Sequence, residues 1–231
     1  MKLFAKTLAA ASLSFGALAA MPAAAQVQGN IATLDIGRAV IGTSALQTAY
    51  QQVSTTYSAQ IETRRTKTQE RQTILQGFDT NGDNEVNDAE LQAAQASPQF
   101  TQLQTVEAEI QQLTNQIDAA RIFAIEEILK QYPAALQEVV TTGQIQMVMA
   151  PNTVLYAQPA ADITQQVTTS LNAKVPQVGI VPPTGWQPSR QGVQLFQEIQ
   201  QTLVAAQVLQ QRQQAAQQQQ ATGNTQAPQG R

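Results

Sequence analysis

Residues 78 to 91 read FDTNGDNEVNDAEL, and oxygen-bearing side chains recur in them at the intervals of an EF-hand calcium loop. Asp79, Asn81 and Asp83 hold positions 1, 3 and 5. Glu85 offers its backbone carbonyl at position 7, Asn87 acts through water at position 9, and Glu90 at position 12 is the two-oxygen carboxylate. Calcium takes six to eight hard oxygens at about 2.4 Å, and three carboxylates with amide, carbonyl and water oxygens supply them. Val86 is the apolar pin of the loop, and Phe78 and Leu91 are the apolar flanks. Position 6 normally carries Gly because the backbone turns left-handed there; Asn84 is the next-best residue for that conformation. A lone loop predicts one weak Ca2+ site per chain, in the submillimolar-to-millimolar class of extracellular modules. The competing reading is an acidic, solvated turn.

Other chemistry is scarce. The chain has no His and no Cys, which removes the usual nucleophile–base pairs, most zinc sites and all disulfides. Glu126 and Glu127 read as a solvated helix face, so no residue is assigned as catalytic and an enzyme is not expected. The lone Trp186 sits among prolines, where it either packs against the body or anchors a partner.

The loop needs helices to carry it. From Ser44 to about Gln76 neither Pro nor Gly interrupts, and Leu46, Tyr50, Val53 and Tyr57 step by four, three and four. The stripe then fades into Arg64, Arg65, Lys67 and Arg71, which predicts a helix with a polar far half. After the Ser97-Pro98 break, Leu103, Val106, Ile110, Leu113, Ile117, Ala120 and Ala124 step by three and four without an error. That period of 3.5 predicts a left-handed coiled coil, folded back on the first helix as an antiparallel hairpin. An ordinary amphipathic helix on a globule is the alternative.

Flanking segments read differently. Ile31 to Ile36 alternates like a short strand that Gly37 breaks. Pro133 ends or kinks the second long helix, and a short helical stretch follows to Thr142. Ile145 to Ala150 and Thr153 to Ala157, joined by Pro151-Asn152, read as a β-hairpin. Asp162 can cap a helix from Ile163 to about Ala173. Residues 176–190 are Pro-rich and read as an extended linker, 191–218 as a helix, and 219–231 as a disordered Gln-rich tail.

The start of the chain carries an address. Lys2 and Lys6, the apolar run Leu8 to Met21 and the small residues Ala23 to Ala25 have the three parts of a secretory signal peptide cleaved after Ala25. The run is too short for a spanning anchor, and Pro22 interrupts it. A periplasmic location follows, with membrane contact at most peripheral. With Lys2 and Lys6 removed, eleven basic residues face sixteen acidic ones, a net charge of −5. That argues against nucleic acid as a partner.

The ends of the helical hairpin resemble a known family. IATLDIGRAV at the front and IQMVMAPNTVLYAQPAADITQQVTTSL at the back are similar to the OmpH/Skp family of periplasmic chaperones, over roughly residues 30 to 175. The resemblance implies a homotrimer in which each chain gives strands to a shared β body and one helical tentacle. It also implies ATP-independent holding of unfolded outer-membrane proteins. The expected fold is therefore mainly α with a small β body (α+β). Residues 26–43 supply its first strand and turn, 44–142 the tentacle with the loop 79–90 near its tip, and 143–175 the closing hairpin and helix. A calcium-binding structural coiled-coil protein of the cell envelope is the alternative.

Overall fold

A computed structural model describes residues 30–223, with side chains placed through residue 217. The leader expected at 1–25 and the end of the tail, 224–231, lie outside the described residues. The described residues are mainly helical, with one two-stranded sheet.

Strand β1 (Asn30–Thr33) is followed at once by helix α1 (Ile36–Ile41). Asp35, read as the far end of a strand, is the helix cap instead. Its carboxylate accepts from the Arg38 N–H at 2.8 Å, so Gly37 lies inside a helix rather than ending a strand. Thr43 caps α2 (Ser44–Thr56) through a hydroxyl that accepts from the Leu46 N–H at 3.3 Å. The helix expected to run unbroken to Gln76 has one irregular residue, Tyr57, between α2 and α3 (Ser58–Gln76). The hydrogen-bond ladder runs on across it: Tyr57 donates to Val53 and Ile61 to Tyr57, both at 2.9 Å. A short helix α4 (Asp88–Ala94) leads to α5 (Pro98–Leu129), which Ser97 caps and Pro98 begins.

Helices α2 and α3 lie against α5 with opposite chain direction. Tyr50 sits beside Arg121, Lys67 beside Glu109, and Glu70 beside Gln102. All seven positions of the α5 stripe are buried or half-buried, with Ile117, Ala120 and Ala124 fully enclosed. The apposed seam on α3 is unusual in composition. Arg64, Lys67 and Arg71 are half-buried at steps of three and four, so their stems line the seam, and the Lys67 ammonium pairs with Glu109 across it. The polar stretch is therefore the middle of the arm. Its far end closes again on Ile74, Phe78, Leu103 and Val106.

Helix α6 (Tyr132–Thr142) leads to strand β2 (Ile145–Met149). Its partner is β1, paired in parallel from Asn30 with Ile145 to Thr33 with Met149. The expected hairpin does not form. Pro151 starts a single 3-10 turn instead of a chain reversal, and Val154 to Ala157 pairs with no described strand. That segment keeps β-forming residues, but strand structure depends on a neighbour to pair with. Helix α7 (Thr164–Lys174) follows Asp162, whose carboxylate accepts from the Thr164 N–H at 2.9 Å. Its Val167 and Leu171 are fully buried against α1 and α6.

The Pro-rich segment 176–189 is packed, not a free linker. Val178, Ile180 and Trp186 all contact the apolar core, because these side chains lose more by exposure than the segment gains in freedom. Helix α8 (Arg190–Gly223) buries Leu195, Phe196 and Ile199 on the body and runs on into the stretch read as disordered.

An Ile117→Ala substitution should lower unfolding free energy by about 2–5 kcal/mol in a urea titration, as for other enclosed aliphatic side chains. Leu113→Ala, at a half-exposed position of the same stripe, should cost clearly less. Equal losses would show that the seam is not packed as described.

Candidate functional site

The loop grows out of the end of α3. Phe78 is held in the far apolar cluster, and the chain then turns through two left-handed residues, Gly82 at φ 77° and Asn84 at φ 65°. Short side chains that bond to the neighbouring backbone stabilise such turns. Asp79 accepts from the N–H groups of Gly82 at 2.7 Å and Asn84 at 2.9 Å. Asn81 accepts from Asp83, and Asp83 from Glu85, each at 2.8 Å. The Asn81 amide also donates to the Asp83 carboxylate at 2.9 Å.

Glu90 closes the loop from behind. Only 7% exposed, it accepts on one oxygen from the Thr80 N–H and hydroxyl, both at 2.8 Å, and from the Asn81 N–H at 3.1 Å. Its other oxygen accepts from the Asn87 N–H at 3.2 Å. The Asn87 side chain in turn accepts from Ala89 and Glu90, which completes a reciprocal cap on α4. These donors, the Asn87 N–H foremost, hold the Glu90 carboxyl below the ordinary value of 4.5.

Toward the other end of α5, Glu126 is a junction rather than a solvated face. Its carboxylate accepts from the Trp186 indole N–H at 3.2 Å and the Ser189 N–H at 2.7 Å. Trp186 meets the Phe123 ring edge-on at 5.5 Å. No room is left for a Cβ at Gly192 against the same carboxylate. In between, Lys67 bridges Glu109 at 2.7 Å and Glu70 at 3.1 Å, which raises its ammonium above the usual lysine value, through Glu109 first.

A family profile for outer membrane protein (OmpH-like) matches residues 30–171. The chain belongs to the OmpH-like family. The OmpH-like match begins at β1 and ends in α7, so it spans both strands and the helical pair and leaves the segment from Asn172 onward outside. A crystal structure from Caulobacter crescentus described as an OmpH-like outer membrane chaperone is 17% identical, covering 71% of this chain and 93% of that chain, with a TM-score of 0.40. No curated protein matches. Among the described residues, no helix of this OmpH-like chain is long and apolar enough to cross a membrane.

The structure brings Asp79, Asn81 and Asp83 into one hydrogen-bonded turn, with Glu90 tied to Thr80 and Asn81 behind them. The Asn87 side-chain oxygen caps α4. Glu85 enters only through its backbone, whose N–H is bound by Asp83. Among the described residues no three acidic side chains converge as a metal cage. By donor type the set still fits a hard cation, since every side-chain donor is a carboxylate or amide oxygen and Asn84 takes the left-handed turn of position 6. The cap of α4 was readable as Asn87 followed three residues later by Glu90. The role of Glu126 had no local signal, since its partners lie about sixty residues away.

Since its carboxyl is held low, ionised Glu90 stabilises the loop at neutral pH, and that contribution is lost as pH falls through the folded value. Amide exchange at Thr80 and Asn81 should accelerate below the ordinary value of 4.5, and Glu90→Gln should show fast exchange at every pH. Protected amides in acid would overturn this account of loop closure.

Proposed function

We propose that this chain is an ATP-independent holdase of the periplasm that shields unfolded outer-membrane proteins from aggregation, acting as a homotrimer. Family membership supports the class. The observation that carries the reading is the pairing of a long two-helix arm with a body that is incomplete alone. Two strands are too few for a stable sheet, and β2 has one edge without a partner among the described residues. Beside it, Leu155 and Tyr156 are exposed to 107% and 81%. Copies of the chain that add Val154 to Ala157 to the sheet would cover both features, leaving the arms as tentacles around a cavity.

Clients would be held without strong cationic attraction. Over residues 44–143 six basic residues face thirteen acidic ones, so apolar and amide contacts along the arm would carry the binding. Light scattering should give a trimer, and Leu155→Asp with Tyr156→Asp should give monomers. The wild-type chain should suppress aggregation of a urea-unfolded outer-membrane barrel on dilution. A wild-type monomer that leaves aggregation unchanged would sink the proposal.

A second reading, compatible with the first, is that Asp79, Asn81, Asp83, Glu85, Asn87 and Glu90 hold one weakly bound Ca2+ and that the arm is a calcium-stiffened spacer. The left-handed Asn84 and the buried Glu90 carboxylate favour it. Binding would require Glu90 to exchange its N–H partners for the ion. Calorimetric titration should find one site per chain with a Kd of about 0.1–1 mM, abolished by Glu90→Gln. No heat up to several times that concentration would remove calcium from the account.

A further inference from the structure

We propose that the small-residue groove between α2 and α5 binds extended apolar segments of an unfolded chain, and that residues Val178–Val181 occupy it in cis as a displaceable plug. The proposal rests on the holdase reading above. Ala49 and Val53 of α2 and Ile117, Ala120 and Ala124 of α5 form the groove floor. Three of these five are alanines, so the helices leave between them a volume that a side chain from outside must fill. Ile180, only 8% exposed, fills it, and half-buried Val178 lies beside it. Gly179 and Val181 face outward, Val181 to 65%. This in-and-out alternation is that of an extended chain.

The plug has the marks of a replaceable occupant. Among the described residues, no backbone hydrogen bond ties residues 177–181 to the helices, so it is seated by its side chains alone. Fixed hydrogen bonds begin only downstream, where Glu126 accepts from Trp186 and Ser189 and acts as a latch. The groove lies within the residues matched by the family profile, whereas the plug and its latch partners lie beyond it. One part of the chain thus supplies a receptor for unfolded polypeptide, and another supplies a built-in competitor that covers it when no client is present.

Trp186 is the only tryptophan of the sequence and sits on the latch, so its fluorescence reports the plug directly. The experiment titrates the full chain with a tryptophan-free, urea-unfolded outer-membrane barrel and follows both Trp186 emission and aggregation. Emission should shift to the red and saturate with the client. Glu126→Ala and Ile180→Ser should each start red-shifted and bind the barrel more tightly, by about tenfold for the latch variant, the size of one charge-assisted hydrogen bond. Unchanged far-ultraviolet circular dichroism would show that both variants keep their helices. Suppressed aggregation with unmoved Trp186 emission, or with no gain in affinity in either variant, overturns the plug and leaves the holdase reading standing. A saturating red shift without suppressed aggregation supports the groove and removes the holdase. Neither response overturns both.

Discussion

Helix α5 offers one continuous apolar stripe, and the arm helices α2 and α3 find their places by packing on it. Near its beginning lie the end of α3 and the candidate loop, in its middle the charged part of α3, and further on α2, the Pro-rich segment and α8. A stripe of period 3.5 faces a partner helix in only one rotational setting, so the positions of α2 and α3 follow once α5 is placed. The narrowness of the stripe explains why the arm has no wide core. It also explains the alanines at 120 and 124, where the helices approach and a third segment enters.

The local signals in the sequence carried far. The stripe, the Asp162 bond to the first N–H of α7 and the left-handed Asn84 each depend on residues within a turn or two of one another. What was hidden depends on distant chain. The sheet pairs β1 with a strand more than a hundred residues later, and Thr153 to Ala157, the expected second strand of a hairpin, has strand-forming side chains without a partner among the described residues. The Pro-rich segment looked like a spacer because prolines dominate its composition, yet Val178, Ile180 and Trp186 decide its position by burial. Arg64, Lys67 and Arg71 looked like a solvated far half because their charge hides the long stems that line the seam. At the candidate site, donor types and spacing were legible. The donors' present engagement with backbone N–H groups was not, since either use satisfies the same oxygens.

Both ends of the arm are organised around a carboxylate that gathers N–H donors. Glu90 ties the start of the loop to its end, and Glu126 ties the extension to α5. Each is a charge-assisted contact that one substitution or one competing cation can alter, while the aliphatic seam between them stays as it is. An arm of this design has two adjustable ends on a fixed shaft. That arrangement suits the proposed role of holding varied clients without a chemical energy source.

The parallel pairing of β1 with β2 also sets an order of assembly. Closing a chain loop of more than a hundred residues costs conformational entropy before any strand hydrogen bond forms. Helices form from near neighbours and do so first. Once α2 and α3 have zipped onto α5, the two strands are carried to the same place and the remaining loop is short. The sheet thus forms after the arm. Any exchange of strands between copies falls in that later stage, after the arms have formed.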